Sequence, residues 1–160
     1  MPAYIALGSN LGDRMGHLRT AVAGLRRLDP DLVVSPVYET APVGGPEGQG
    51  SYLNCVVRLE TRLSPHELLA FAQALESDAH RVRLERNGPR TLDVDLLLFD
   101  DLRIADEDLE IPHPRMYERA FVLAPLEDVA PHLVPPDWRH EIPSSSRVDP
   151  EVRSLGTLIE

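Results

Sequence analysis

The sequence of 160 residues contains no lysine, so all 16 of its basic side chains are arginines. A chain without lysine cannot form a Schiff base through a lysine amine. It also cannot contain a P-loop, whose glycine-rich turn ends in Lys-Ser or Lys-Thr. If this protein binds nucleotide phosphates, arginine must supply the cations. The 26 acidic residues give a net charge of −10, which argues against general nucleic-acid binding because a phosphate backbone would be repelled.

Cysteine is nearly absent as well, and no long apolar run occurs. The single cysteine, Cys55, has no partner for a disulfide, so we expect it to be buried and inert and the chain to occupy a reducing compartment. The first residues lack the basic and apolar regions of a leader, and no segment approaches the roughly 18 apolar residues of a membrane span. The sequence therefore predicts a cytoplasmic protein.

The apolar pattern predicts one α+β domain over residues 1–160. Four strand-like segments alternate with two helical ones, and the second helix begins at a capping box, Ser64–Glu67. The order strand, helix, strand, strand, helix, strand is the ferredoxin-like βαββαβ arrangement, an antiparallel sheet covered by helices. The strand-like segments are 3–8, 32–39, 52–61 and 91–99, and the helical ones are about 14–28 and 65–80.

Three further segments have weaker patterns. Residues 100–110 are acidic and are expected to form a turn between two short strands. Residues 121–129 form a last short apolar segment. Prolines are frequent after Pro112, so the tail from about residue 131 is expected to be irregular and held on the surface.

The stretch from Arg81 to Asp95 concentrates charge, with four arginines running into two aspartates. Asp93 and Asp95 would lie on one face of a strand about 7 Å apart, while Leu92, Val94, Leu96 and Leu98 take the other face. Aspartates are unfavourable in strands and repel one another, so a cation is expected, and Mg²⁺ bound to substrate phosphates is the obvious candidate. The alternative is a solvated strand face neutralised by the arginines.

Other candidate residues are ambiguous when considered singly. His113 lies between two prolines that restrict its backbone, and it is either aimed at a ligand or structural. Tyr52, Asn54 and Phe121 would ordinarily be core or edge residues. The Gly8–Asp13 segment is better explained as a turn before a helix cap than as a phosphate loop. The loops at 41–51 and 81–90 have the composition of lids.

Five motifs, taken together, resemble those of a known family, the 6-hydroxymethyl-7,8-dihydropterin pyrophosphokinases of folate biosynthesis. The resemblance extends from about residue 3 to residue 134, and the fourth motif is the family's long signature. In chain order the motifs are Tyr4–Gly12, Tyr38–Gly44, Tyr52–Asn54, Arg81–Asp95 and Ile111–Leu123.

The resemblance implies transfer of the β,γ-diphosphate of ATP to the hydroxymethyl oxygen of the pterin, with AMP as the leaving group. It implies that Asp93 and Asp95 hold two Mg²⁺ ions and that Arg81 and Arg90 engage the transferred group. The residues expected to contact ATP are Gln73, Arg83, His113 and Arg119. The residues expected to form the pterin pocket are Thr40, Val43, Tyr52, Asn54 and Phe121.

The implied partners are ATP and a reduced pterin, with no nucleic acid and no membrane, and the expected state is a monomer. Two alternatives stay open at this point. One is a non-catalytic ferredoxin-like module that binds a small ligand or metal. The other is a different kinase or nucleotidyltransferase with the same carboxylates and arginines, which the release of ADP rather than AMP would reveal.

Overall fold

The computed structural model of this protein describes residues 1–40, 52–79, 92–141 and 153–154, the last two and residues 140–141 by their backbone alone. A six-stranded antiparallel sheet is its central element, with the strand order β5-β1-β4-β3-β8 and with β2 also paired to β4. The strands of this sheet are β1 Pro2–Ser9, β2 Val33–Val34, β3 Tyr38–Thr40, β4 Tyr52–Glu60, β5 Asp93–Phe99 and β8 Arg153–Ser154.

A small ribbon and the helices complete the described architecture. Strands β6 (Ile104–Ala105) and β7 (Glu110–Ile111) pair with each other across the acidic turn, which confirms the two short strands predicted there. None of the described helices combines the length and apolar character needed to cross a lipid bilayer. The helices are α1 Arg14–Leu25, α2 Pro65–Ala79, α3 Ala120–Val129 and α4 Trp138–Glu141.

Local sequence signals set the starts of the first two helices. The Asp13 carboxylate accepts a hydrogen bond from the Gly16 amide at 3.0 Å and so caps α1, as expected for a turn that leads into a helix. At the start of α2, the Ser64 amide donates to the Glu67 carboxylate at 2.8 Å, and the Glu67 amide donates to the Ser64 hydroxyl at 3.2 Å. The predicted capping box is therefore confirmed.

The core lies on both faces of the sheet. Helices α1 and α2 pack on one face, against buried side chains such as Ile5, Leu7 and Val94. Helix α3 packs on the other face, against Tyr4 and Val56 among others. Cys55 is buried without a disulfide on the α1–α2 side, as predicted. The predicted class, an antiparallel sheet covered by helices, is confirmed.

The single strand predicted over 32–39 is wrong, because two short strands, β2 and β3, occupy this region. Ser35 interrupts the ladder: its hydroxyl oxygen accepts the Val56 amide at 2.9 Å, and its hydroxyl donates to the carbonyl of Pro36 at 2.9 Å. Proline has no amide to continue the ladder. The chain therefore leaves the sheet between Val34 and Tyr38.

The expectation of an irregular tail is only partly correct. Residues Pro131–Leu133 form a 3₁₀ turn and Trp138–Glu141 a short helix. Trp138 is buried against the α3 side of the core, where its indole N–H donates to the Glu127 carboxylate at 3.3 Å. Burial of a large aromatic side chain is the physical reason for this local order.

The predicted face of Leu98 is also wrong. The pairing of β5 with β1 shifts between Ile5, which pairs with Leu96, and Tyr4, which pairs with Leu98. This irregularity inserts one extra residue, Leu97, and an inserted residue reverses the faces of those that follow it. Leu97 and Leu98 consequently both belong to the α3 side of the core.

Candidate active site

A row of paired residues crosses the sheet on the face that α3 covers. Asn54 of β4 pairs with Tyr38 of β3 and with Gly8 of β1. Gly8 pairs in turn with Asp93 of β5. Directly opposed residues of antiparallel strands point to the same face, so the Asn54 and Asp93 side chains share a face with only a glycine between them. Two strand spacings place their backbones roughly 10 Å apart.

Asp93 and Asp95 lie at one end of this row. Both are half-buried, and the buried Val94 between them points to the opposite face. The strand rise places the two aspartates about 7 Å apart on one side of β5. Asp95 pairs with Ala6, whose short side chain is likewise half-buried. The predicted arrangement of two carboxylates on one strand face is confirmed.

His113 lies close to these carboxylates, because the segment after β7 returns to β5. Its amide donates to the carbonyl of Leu97 at 2.9 Å. The Nδ1 atom of its imidazole accepts the Arg115 amide at 3.2 Å, which leaves Nε2 as the protonated nitrogen of a neutral ring. Burial lowers the pKa of His113, and the Asp95 carboxylate opposes part of this effect. The environment therefore favours a neutral His113 that can donate from Nε2.

Arg119 provides a cation beside the same carboxylates. It precedes the first residue of α3 and is half-buried. Burial and then repulsion from Arg115 lower the pKa of Arg119, whereas Asp95 and Asp93 act in the opposite direction. A guanidinium keeps its charge even with such a change. Its carbon lies 5.5 Å from the centre of the Phe121 ring, within the range of a cation–π contact.

The other end of the row is a buried polar pair. The Asn54 amide nitrogen donates to the Thr40 hydroxyl at 3.3 Å, and both residues are buried. Tyr52, which pairs with Thr40, is half-buried beside them. Phe121, in the first turn of α3, is half-buried on the same face of the sheet and lies beside Arg119. This end therefore combines hydrogen-bonding groups in a desolvated setting with aromatic surface.

The structure brings some of the predicted residues together and not others. Asp93, Asp95, His113 and Arg119 are neighbours, and Thr40, Tyr52 and Asn54 form a second group on the same face of the sheet. Gln73 is exposed on α2, the helix that packs on the opposite face. Four predicted site residues, and both loops predicted to be lids, lie outside the described residues. Those four are Val43, Arg81, Arg83 and Arg90.

Gly8 belongs to this site, although it is not among the residues predicted for it. A Cβ atom at Gly8 would lie 2.9 Å from the Asn54 side-chain oxygen, closer than real Cβ contacts. The absent side chain is what allows the Asn54 amide to lie against β1. A glycine inside a strand is a signal for such a close approach, and the sequence does offer that signal.

The donor set of Asp93 and Asp95 fits a magnesium ion. Mg²⁺ takes oxygen ligands and binds through one or two carboxylates, while phosphate oxygens and waters complete its octahedron. Both carboxylates are partly exposed and therefore accessible. Elsewhere in the described residues, His66 Nε2 lies 2.9 Å from the Asp106 carboxylate and 3.7 Å from that of Asp108. These three side chains are exposed, and such surface pairs contribute little stability.

Comparison with known proteins identifies the family to which this chain belongs. Residues 4–131 match the model of the 7,8-dihydro-6-hydroxymethylpterin-pyrophosphokinase family. The chain is 53% identical over 129 residues to the 2-amino-4-hydroxy-6-hydroxymethyldihydropteridine pyrophosphokinase of Bacillus subtilis, covering 79% of this chain and 77% of that protein. The enzyme of the same name from Pseudomonas aeruginosa is 45% identical over 139 residues, covering 86% and 85%.

Solved structures show the same fold. A crystal structure of a Plasmodium falciparum HPPK-DHPS triple mutant matches with a TM-score of 0.61 and 16% identity, over 81% of this chain but only 40% of that one. At such identity the likeness concerns the fold alone. The family match and the two relatives identify the activity: this chain belongs to the 7,8-dihydro-6-hydroxymethylpterin-pyrophosphokinase family, the enzymes of folate biosynthesis that transfer a pyrophosphoryl group from ATP to hydroxymethyldihydropterin.

Proposed function

We propose that the α3-covered face of the sheet is where this chain carries out its family's reaction, with the pterin at the Asn54 end of the row and the ATP phosphates at the Asp93 end. In that reaction the hydroxymethyl oxygen bonds to the β-phosphorus of ATP and releases its proton. The bond from that phosphorus to the bridging oxygen on its α side breaks, and AMP leaves. The observation that carries the proposal is the pairing of Asn54, Gly8 and Asp93 in one row.

Asp93 and Asp95 are proposed to hold Mg²⁺, two ions in the complete complex. Bound there, Mg²⁺ would neutralise charge on the phosphate oxygens. The proposal explains why two carboxylates occupy neighbouring positions on one strand face, where they otherwise repel each other. Both carboxylates influence the pKa of Arg119, and Asp95 also influences that of His113, which supports a common phosphate site.

His113 and Arg119 are proposed to contact ATP. The neutral imidazole offers its Nε2–H to a phosphate oxygen, and the guanidinium offers several N–H donors in a planar fork. Gln73 and Arg83 are proposed to contact other parts of ATP, and Arg81 and Arg90 to engage the transferred group. With no lysine in the chain, arginine must make every such cationic side-chain contact.

The pterin is proposed to bind over Asn54 and Thr40, with Tyr52, Phe121 and Val43 around the ring. The buried amide and hydroxyl suit a ring edge that carries both donors and acceptors. Selectivity follows, because an analogue without those groups would leave buried polar atoms unpaired. The cation–π contact between Arg119 and Phe121 supports a site in which the phosphate and ring subsites adjoin.

Catalysis in such a site depends mainly on positioning and charge neutralisation, since phosphoryl transfer needs little covalent chemistry from the protein. No side-chain nucleophile is required. Cys55 is unsuited to such a role, because it is fully buried on the other face of the sheet and burial raises the pKa of its thiol to about 12.

Three broader features belong to the same proposal. The strand order β5-β1-β4-β3, with α1 and α2 on one face, supports a ferredoxin-like core. Both parts of the core pack on one sheet, which supports a single domain over residues 1–160 with a proline-rich segment from about 131. We further propose that the protein acts as a cytoplasmic monomer; its single, buried cysteine suits a reducing compartment.

The proposal is tested by incubating the protein with ATP, Mg²⁺ and 6-hydroxymethyl-7,8-dihydropterin and separating the products by chromatography. AMP and the pterin diphosphate should appear in equal amounts, and Asp95→Asn should form neither. Release of ADP instead of AMP would point to a different kinase reaction. Binding of the pterin without product, beside an active control enzyme, would favour a non-catalytic module.

A further inference from the structure

Strand β5 carries the two aspartates at the edge of the described sheet. Its only strand neighbour there is β1, so its outer backbone groups have no β-ladder partner in that part of the chain. One of them is nevertheless paired. The Val94 amide donates to the Glu76 carboxylate of α2 at 2.8 Å, in a partly buried position. A helix side chain therefore takes the place of a neighbouring strand at this point.

The hydrogen bond between Val94 and Glu76 lies between the two aspartates, on the edge of β5 that faces away from β1. In an antiparallel ladder, successive residues direct their backbone groups alternately toward and away from the partner strand. The Val94 amide points away from β1, so those of Asp93 and Asp95 point toward it. The residue between the two carboxylates is thus held by Glu76 on one edge, while its neighbours are held by β1 on the other.

The bond is of a strong kind. A carboxylate that accepts a backbone N–H forms a charge-assisted hydrogen bond, which is shorter and stronger than a neutral one. Metal and phosphate sites tolerate displacements of only about 0.5 Å in their ligands. Without the Glu76 carboxylate, the Val94 amide would lose its hydrogen bond to α2, and Val94 lies between the two aspartates.

We propose that Glu76 is a positioning residue that fixes Asp93 and Asp95 for binding the metal–ATP complex by accepting the hydrogen bond of the Val94 amide. The inference rests on the proposed role of the aspartates. It also connects two parts of the site, because Gln73 lies one helical turn before Glu76 on α2 and is itself proposed to contact ATP. Neither composition nor motif spacing indicates this role.

Three substitutions separate the hydrogen bond from the charge. Glu76→Gln keeps an acceptor oxygen at the same reach and removes the charge. Glu76→Asp keeps the charge, but its side chain is one methylene shorter, so the carboxylate oxygen lies farther from the Val94 amide. Glu76→Ala removes both, and Ser77→Ala serves as a control at an adjacent exposed position of α2. Asp95→Asn reports on the proposed metal site itself.

Two measurements are made on each folded variant without turnover. Amide hydrogen exchange followed by NMR reports protection of the Val94 N–H, and Mn²⁺ titration in the presence of a non-hydrolysable ATP analogue, followed by electron paramagnetic resonance, reports metal affinity. Glu76→Asp and Glu76→Ala should speed Val94 exchange and weaken Mn²⁺ binding by roughly 10- to 100-fold, the range for residues that orient metal ligands. Ser77→Ala should remain within about twofold of the unsubstituted protein. Glu76→Gln, whose neutral oxygen accepts a weaker hydrogen bond, should lie between Ser77→Ala and Glu76→Asp.

Each contrary result has a separate meaning. If Glu76→Asp binds Mn²⁺ like the unsubstituted protein while Asp95→Asn does not, the role of Glu76 is wrong and the metal site stands. If Glu76→Gln binds Mn²⁺ weakly while Glu76→Asp binds it like the unsubstituted protein, the charge and not the hydrogen bond is responsible, and the proposal is overturned. If Asp95→Asn binds Mn²⁺ normally, the proposed metal site fails, and the role of Glu76 fails with it.

Discussion

The Asn54 side chain lies against the backbone of Gly8, and its amide oxygen occupies the space that any side chain at position 8 would need. This contact joins β4 and β1 at the middle of the row that ends in Asp93. The Asn54 amide nitrogen is meanwhile directed to the Thr40 hydroxyl. The protein thus fixes the positions of both the oxygen and the nitrogen of the Asn54 amide, as expected of a group that recognises a ligand by hydrogen bonds.

Gly8→Ala should weaken binding of the pterin. The new methyl group would meet the Asn54 oxygen at 2.9 Å, and such overpacking costs about 1–3 kcal/mol. We therefore expect an increase of about tenfold or more in the Kd of the pterin, measured by isothermal titration calorimetry. The control is a double-mutant cycle with Asn54→Ala, in which the substitution at Gly8 should have little further effect. Additive effects would contradict the proposed contact.

Thr40→Val should destabilise the fold and impair pterin binding together. The substitution keeps the shape of Thr40 but removes the hydroxyl that accepts the Asn54 amide, which would leave a buried N–H without its partner. Such a loss costs about 1–3 kcal/mol. Urea unfolding should show a lower free energy of unfolding for Thr40→Val, whereas Thr40→Ser, which keeps the hydroxyl, should be much closer to the unsubstituted protein. Equal stability of the two variants would contradict the role of the hydroxyl.

The parts of the fold that depend on local signals could be predicted from the sequence. Ser64 and Glu67 are three residues apart and cap one helix, so the start of α2 follows from their spacing alone. Alternation along β5 likewise places Asp93 and Asp95 on one face. The face of the sheet on which Leu98 lies could not be predicted, because an irregularity in the pairing of β5 with β1, next to Tyr4, determines it.

Other features depend on tertiary contacts that no short pattern contains. Helix α3 contains Pro125, which argues against a helix in so short an apolar segment, and burial against the sheet outweighs this preference. His113 approaches Asp95 only because the chain returns to Leu97 after the β6–β7 ribbon. From residue types alone the role of His113 is ambiguous, and only the family resemblance predicts that it contacts ATP.

Cys55 should be unreactive toward thiol reagents in the native state. Burial raises the pKa of its thiol from 9.0 to about 12, and the thiolate is the reactive form. Labelling with 5,5′-dithiobis(2-nitrobenzoic acid) at pH 8 should be slow without urea and complete in urea. The same shift predicts falling stability above about pH 9, because the unfolded thiol ionises there while the native one stays neutral. Rapid native labelling would contradict this burial.

Asp95→Asn should abolish turnover and leave the fold intact. The substitution removes one carboxylate charge from a half-buried position without changing core volume, so the free energy of unfolding in urea should change by less than about 1 kcal/mol. Loss of a proposed metal ligand should lower kcat by at least about 100-fold, measured as AMP formation at saturating ATP and pterin. Asp101→Asn, at an exposed carboxylate beyond the other end of β5, is the matched control and should be fully active. An active Asp95→Asn enzyme would show that this carboxylate is not a metal ligand, and Asp93 would then have to act without it.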